Sequence, residues 1–347
     1  MERRLMQVFD GHNDVLSRLC GTSADPVADF DRPIGHVNRP AARAGGLAGG
    51  FFALYSAAAK GAFDFSVFDN GMSELPLPPA MPAAAALEPV IAQAGIAQKL
   101  HAAGQIEICT TAAQLGRAFV GDPLVCVLHL EGADCIGPEL WELDALYAMG
   151  LRSLGPVWSR PTIFGEGVPF LHGGDGDTGA GLTALGRALV ARCKDMGIMV
   201  DTSHLNVKGF WDVADAGIPL VATHSNACAV SLNARNLTDD QLRAIGQTGG
   251  MAGLNFATLF LSDTGWTRGH ATLDDCLRQL DHMIDLAGED HVGLGSDFDG
   301  APMPQGLADA GELPNLISAM RAHGYGEALI AKLSHENWLG FLSRHLN

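Results

Sequence analysis

Eight short runs of nearly continuous apolar residues recur along the chain, over 7–12, 49–55, 125–130, 151–157, 198–202, 220–223, 251–255 and 292–295. They do not alternate apolar with polar, which is the pattern of strands covered on both faces in a parallel sheet. Stretches with helical start and stop signals separate them. Residues 139–149 follow Gly137-Pro138, and the stretches 182–196, 206–216 and 272–287 end at Gly197, Gly217 and Gly288. Thr238-Asp239-Asp240 is a cap signal for a helix over 238–247, and an Ala-rich helix is predicted over 83–103. Eight strands with interleaved helices predict an α/β fold, a (β/α)8 TIM barrel, with a doubly wound open sheet as the alternative. The barrel reading takes residues 1–347 as one domain.

Two segments break this rhythm. Residues 58–82 contain Pro76, Pro78, Pro79 and Pro82, and residues 159–181 contain seven glycines. Long loops in compact domains are usually functional. These two follow strands 2 and 4 at their C-terminal ends, the face on which barrel enzymes place their chemistry.

Composition narrows the function classes. The 347 residues are 47% hydrophobic and 18% charged, with a formal net charge of -17. Such a chain is neither disordered nor supplied with the basic footprint that nucleic acid or an anionic membrane requires. The seven cysteines are scattered, with no C-x-x-C spacing, so reduced core thiols are expected. The N-terminus lacks the long apolar core of a signal peptide. Residues 244–262 are uncharged but include Gln247, Thr248, Asn255, Thr258 and four glycines, which suits a buried strand with its flanks better than a membrane span. A cytoplasmic protein is the expectation.

The candidate chemistry sits where apolar runs end. His12 and Asp14 close the first strand two residues apart, so an extended chain turns both to one side. Glu131 ends the third, and a carboxylate there is costly unless paired or metal-bound. His129, two residues earlier, is assigned a structural role. His204 and His224 each follow a hydroxyl residue at the end of a strand. Asp297 closes the eighth strand, where it could ligate or handle protons, and Asp299 organises the turn. Any one strand-end histidine is more often a satisfied core residue. Three of them with carboxylates exceed the needs of one tetrahedral ion, so two metals are the economical reading. His12 and Asp14 would hold one, His204 and His224 the other, with Glu131 between. Hydrolysis of an unactivated bond gains most from such a centre.

Six segments carry a resemblance. Asp10-Gly-His-Asn-Asp14, His129-Leu-Glu-Gly132, Met199-Val-Asp-Thr-Ser-His204, Thr223-His-Ser-Asn-Ala227, Ala234-Arg-Asn-Leu-Thr-Asp-Asp240 and Gly293-Leu-Gly-Ser-Asp-Phe-Asp-Gly300 span nearly the whole chain. In this order they resemble the membrane (renal) dipeptidase family of binuclear zinc peptidases, within the amidohydrolase-like barrels. The resemblance implies two Zn2+ per chain, with His12 and Asp14 on the first, Glu131 bridging, and His204 and His224 on the second. It implies a dipeptide substrate attacked by a zinc-bridging hydroxide, often with a D-residue on the C-terminal side. Asp297 would be the acid that manages the proton and holds the substrate amino group, and Arg235 would grip the substrate carboxylate. A homodimer is also implied.

The chain departs from the family pattern twice. Trp158, in Leu154-Gly-Pro-Val-Trp158, stands where the family commonly ends strand four with histidine, and Phe260 stands for a tyrosine after strand seven. Trp158 keeps one N–H donor but cannot carry a proton. His172, in the glycine-rich loop, is a candidate replacement. Both changes bear on the substrate and leave the metal residues intact. An amidase or lactonase of the same metal chemistry, or a silent metal-binding barrel, are the alternatives.

Overall fold

The computed structural model describes residues 5–57, 64, 73–119, 121–262 and 270–346. Each of the eight apolar runs forms a strand: β1 (Val8–Asn13), β2 (Leu47–Tyr55), β3 (Leu124–Glu131), β4 (Leu151–Gly155), β5 (Met199–Val200), β6 (Val221–Ala222), β7 (Met251–Leu254) and β8 (Val292–Leu294). Neighbours in sequence pair in parallel from β1 to β5 and from β6 to β8. β8 returns to pair with β1. A parallel bridge between Asp201 and Val221 joins the β5 and β6 sides, completing the circuit. The open-sheet alternative is thereby excluded.

β3 shows why the runs are apolar throughout. Leu124, Cys126, Leu128 and Leu130 pack outward against the helices, whereas Val125 and Val127 belong to the barrel interior. The same alternation carries His129 and Glu131 inward above Val127. One strand therefore supplies an apolar floor and a polar upper layer. Below the floor, the helix Asn337–His345 inserts Trp338, whose indole N–H donates to the Leu294 carbonyl at 2.9 Å.

The predicted helices form with small shifts at their ends. Thr238 and Thr272 close capping boxes on Asp239–Gln247 and Leu273–Ala287, and Asn206 caps Val207–Ala214. β5 is shorter than the predicted 198–202, because its ladder ends in the Asp201 bridge and the chain then turns to His204, in left-handed conformation at φ 68°. The uncharged stretch 244–262 is divided among a helix end, β7 and the short helix Thr258–Leu261. No helix among the described residues is long and apolar enough to cross a membrane. Of the insertion 58–82, residues 58–63 and 65–72 lie outside the described residues. The rest includes Glu74–Leu75, which pairs antiparallel with Phe170–Leu171 of the second insertion and so ties the two loops together. Ile106–Ile108, a parallel partner of β3 outside the ring, was not foreseen.

Glycine supplies close approach at the β6 end. A Cβ on Gly253 would lie 1.9 Å from the Thr223 carbonyl oxygen, and one on Gly295 would lie 2.0 Å from it. Gly253→Ala is expected to destabilise the fold by about 1–3 kcal/mol through overpacking. Denaturant unfolding reads this as a lower midpoint, and an unchanged midpoint would contradict the tight seam.

Candidate metal centre

Every strand-end residue singled out by the sequence reaches the same mouth of the barrel. Asp10 sets the first segment: it accepts from the Ser296 N–H and hydroxyl, both at 2.7 Å, and locks β1 to the end of β8. Asp14 N–H donates to the Phe298 carbonyl at 2.8 Å, and Asp297 N–H to that of His12 at 3.1 Å. Asp299 accepts from the N–H groups of His36 and Val37 and pairs with Arg18 Nε at 3.0 Å, so its side chain ties the end of β8 to the loop at residues 36–37 rather than bonding within its own turn. His204 and Asp297 both adopt left-handed backbone, at φ 68° and 62°. Such conformations cost non-glycine residues roughly 1–3 kcal/mol and persist where surroundings enforce them.

Glu131 is the geometric centre. Its Oε1 lies 3.0 Å from His204 Nε2, 3.4 Å from His224 Nε2 and 3.7 Å from His12 Nε2. His12 Nε2 is 3.4 Å from Asp14 Oδ2. Two sets offer ligand atoms within 4.8 Å of one another: His12, Glu131 and His224, and His12, Asp14 and Asp297. His12 is fully buried, yet neither of its ring nitrogens has a hydrogen-bond partner. Orphaned polar atoms are expensive in a protein interior, and a divalent cation fits this donor set of imidazoles and carboxylates.

The electrostatics agree with that fit. Burial, helped by Arg235 and His12, drives His204 and His224 well below the ordinary imidazole range, so both are neutral. Burial also pushes Glu131 up to about 8, with Asp14 and Asp297 adding to it against the pull of His12. Burial opposes charge on His12, but Glu131, Asp14 and Asp297 carry that ring up to about 10. Asp297 is raised by burial and Asp14, while the Asn255 amide at 3.0 Å partly offsets this.

Arg235 lies beside this cluster, 4% exposed. It donates to the Ser225 hydroxyl at 3.1 Å and the His224 carbonyl at 3.0 Å, leaving Nε without a partner. Its guanidinium carbon stands 5.4 Å from the centre of the Phe260 ring. Phe170 stacks on Phe260 at 6.2 Å and meets Trp158 edge-on at 5.9 Å. Trp158 in turn reaches Tyr55 at 5.2 Å and His204 at 5.7 Å. His172 belongs to neither ligand set; its N–H donates to the Ser73 carbonyl in the strap between the insertions. Sequence reasoning missed Tyr55, Asn255 and the buried ion pair of Arg160 with Asp134 at 2.9 Å. Asn255 carried a usable signal, a polar residue directly after an apolar strand. Arg160 carried none.

A closed parallel barrel with imidazoles and carboxylates at the C-terminal ends of its strands defines a metal-dependent hydrolase. The membrane dipeptidase family, peptidase family M19, matches over residues 3–344, and the chain belongs to it as a metallo-dipeptidase. A crystal structure of the metallopeptidase dipeptidase AC, also of family M19, superposes with TM-score 0.92 at 49% identity over 99% of both chains. A Rhodobacter sphaeroides metallopeptidase, solved with a phosphinate mimic of the dipeptide L-Ala-D-Ala, gives TM-score 0.93 at 49% identity over 98% of this chain and 99% of that one. An uncharacterised Klebsiella pneumoniae protein is 45% identical over 70% of this chain and 90% of its own length.

The shifted groups set the pH dependence of metal uptake. At neutral pH the metal-free cluster retains protons on His12 and Glu131, whereas ligating forms carry none. Metal binding is therefore expected to release protons, and affinity to rise with pH, most steeply below about 8, where Glu131 loses its proton unaided, and more gently up to about 10, where His12 does. Calorimetry in buffers of different ionisation enthalpy measures the release; zero release near neutral pH would contradict the assignment.

Proposed function

We propose that the chain hydrolyses dipeptides, including those with a D-residue on the C-terminal side, and that its resident metals are two zinc ions. The observation that carries this reading is the convergence of three imidazoles on one carboxylate oxygen of Glu131. His12 and Asp14 would hold one ion, His204 and His224 the other, with Glu131 shared between them. Bound together, two such ions supply Lewis-acid activation of water and of the scissile carbonyl.

The chain's own residues account for the rest. Asp297, whose affinity for a proton is raised by burial and Asp14, can hold a proton for the departing amine. Asn255 keeps its carboxylate turned to the mouth. Arg235 offers its unpartnered Nε to the substrate carboxylate from a site where water competes poorly. Phe260 and Trp158 form the wall beside it, with the indole N–H as the polar contact that replaces histidine. The dipeptide mimic bound by the Rhodobacter sphaeroides relative supports a substrate of this length and stereochemistry.

A panel of L,L and L,D dipeptides assayed with zinc-loaded protein tests the substrate, and no turnover of any member would overturn it. Asp297→Asn is expected to retain metal and lose about 10²–10⁴-fold in kcat; full turnover would remove Asp297 from the proton path. Arg235→Met is expected to raise KM by about 10-fold or more, the loss of one charge-assisted contact. An unchanged KM would detach Arg235 from the carboxylate.

A further inference from the structure

The buried carboxylate of Asp201 lies behind the metal-facing side of His224 and makes no contact with the mouth itself. Its Oδ1 accepts the N–H groups of Ser203 at 3.0 Å and Thr223 at 2.9 Å. Its Oδ2 accepts the Thr223 hydroxyl at 2.6 Å. Thr223 Oγ1 is in turn 2.8 Å from His224 Nδ1. A hydroxyl has one proton. With that proton given to the carboxylate, Thr223 Oγ1 can only accept from the imidazole. His224 must then carry its proton on Nδ1 and present a bare lone pair at Nε2, the atom that faces Glu131 Oε1 and His204 Nε2.

We propose that Asp201 and Thr223 are positioning residues that fix the tautomer and orientation of His224 for metal binding. The proposal rests on the reading of His224 as a ligand. Outer partners of metal-bound histidines commonly contribute about 10–100-fold in metal affinity; here a threonine hydroxyl is inserted between imidazole and carboxylate and passes the polarity on. The direction of the relay is set by Asp201 being an acceptor at both oxygens. Two further polar neighbours stand outside the relay: His129 Nε2 lies 3.5 Å from Asp201 Oδ2 without a hydrogen bond, and Ser203 Oγ lies 3.5 Å from Thr223 Oγ1, well beyond the 2.6 Å bond that Thr223 gives the carboxylate. The Thr223 backbone is closely packed as well, its carbonyl lying where Gly253 and Gly295 leave no room for a Cβ.

Asp201→Asn is the informative substitution because it preserves shape. The asparagine oxygen keeps the two backbone N–H bonds, which places the amide NH2 opposite Thr223 Oγ1. The hydroxyl then accepts from Asn and donates to His224 Nδ1, moving the imidazole proton to Nε2, onto the ligating atom. Thr223→Val removes the relay without reversing it, and Thr223→Ser retains the hydroxyl.

The test combines two measurements on full-length protein. Histidine 15N spectra of the metal-free chain, with His224 assigned by its loss in His224→Gln, should show the Nδ1–H tautomer in the parent and in Thr223→Ser and the Nε2–H tautomer in Asp201→Asn. Competition titration with Zn2+ should show affinity falling about 10–100-fold in Thr223→Val and Asp201→Asn and staying within about 3-fold in Thr223→Ser. An Nε2–H tautomer in the parent, or a Thr223→Val chain that binds Zn2+ as the parent does, would overturn the relay. Failure of the metal-centre reading is separate: the parent itself would bind no Zn2+, and the tautomer of the metal-free parent would still decide the relay.

Discussion

The structure is organised around an electrostatic problem at Glu131. A carboxylate is placed where burial raises its affinity for a proton, beside two further carboxylates and three imidazoles. Two of those imidazoles are held neutral by the same burial. In water this collection would be unremarkable, but where it is buried in the mouth of a barrel desolvation penalises each charge and the mutual repulsion of the acids is poorly screened. Protons can relieve the strain only in part, by occupying the nitrogens and oxygens that a cation would use. A divalent cation relieves it without that loss, since it satisfies the orphaned His12 nitrogen and the acids together. Metal dependence is thus a property of the way the side chains are buried.

That burial depends on closure of the sheet. Six residues from β1, β3 and the ends of β5, β6 and β8 reach one point because the ring brings first and last strands together and the Asp201 bridge joins the short central ones. The weakest part of the ring is the β5–β6 seam, where each strand has two residues. Side chains compensate there. Asp201 accepts two backbone N–H groups across the turn, and the Thr223 carbonyl lies between glycines that admit no Cβ. The seam that completes the barrel is also the seam that orients His224, so architecture and ligand geometry share the same atoms.

Much of this was legible in the chain because the signal is local. A buried strand must be apolar, and an ionisable residue directly after it is conspicuous; His12, Glu131, His204, His224 and Asp297 all announce themselves in that way. The period of two in β3 is enough to place His129 and Glu131 on one side. What stayed hidden depends on contacts distant in sequence. Nothing near Trp338 reveals that it fills the base of the barrel, and nothing near Arg160 reveals Asp134 as its partner. Strand lengths at β5 and β6 were overestimated for a related reason, since apolar composition persists beyond the residues whose backbone groups find ladder partners. The pairing of Glu74–Leu75 with Phe170–Leu171 lies between two loops that local patterning could mark only as irregular.

Trp158 and Phe260 share one physical setting at the mouth. Phe170, delivered by the strap between the insertions, stacks on Phe260 and meets Trp158 edge-on. Arg235 stands over the far end of this row, and His204 borders the near end. A wall built this way is stiff, because aromatic rings have few rotatable bonds and each is held by its neighbour. It offers shape rather than mobile polar groups, on the side of the mouth where Arg235 is buried. Discrimination by such a wall acts on side-chain size and stereochemistry, while the charge balance at Glu131 is left unaltered. A change in this wall would therefore act on fit and leave the cluster around Glu131 intact.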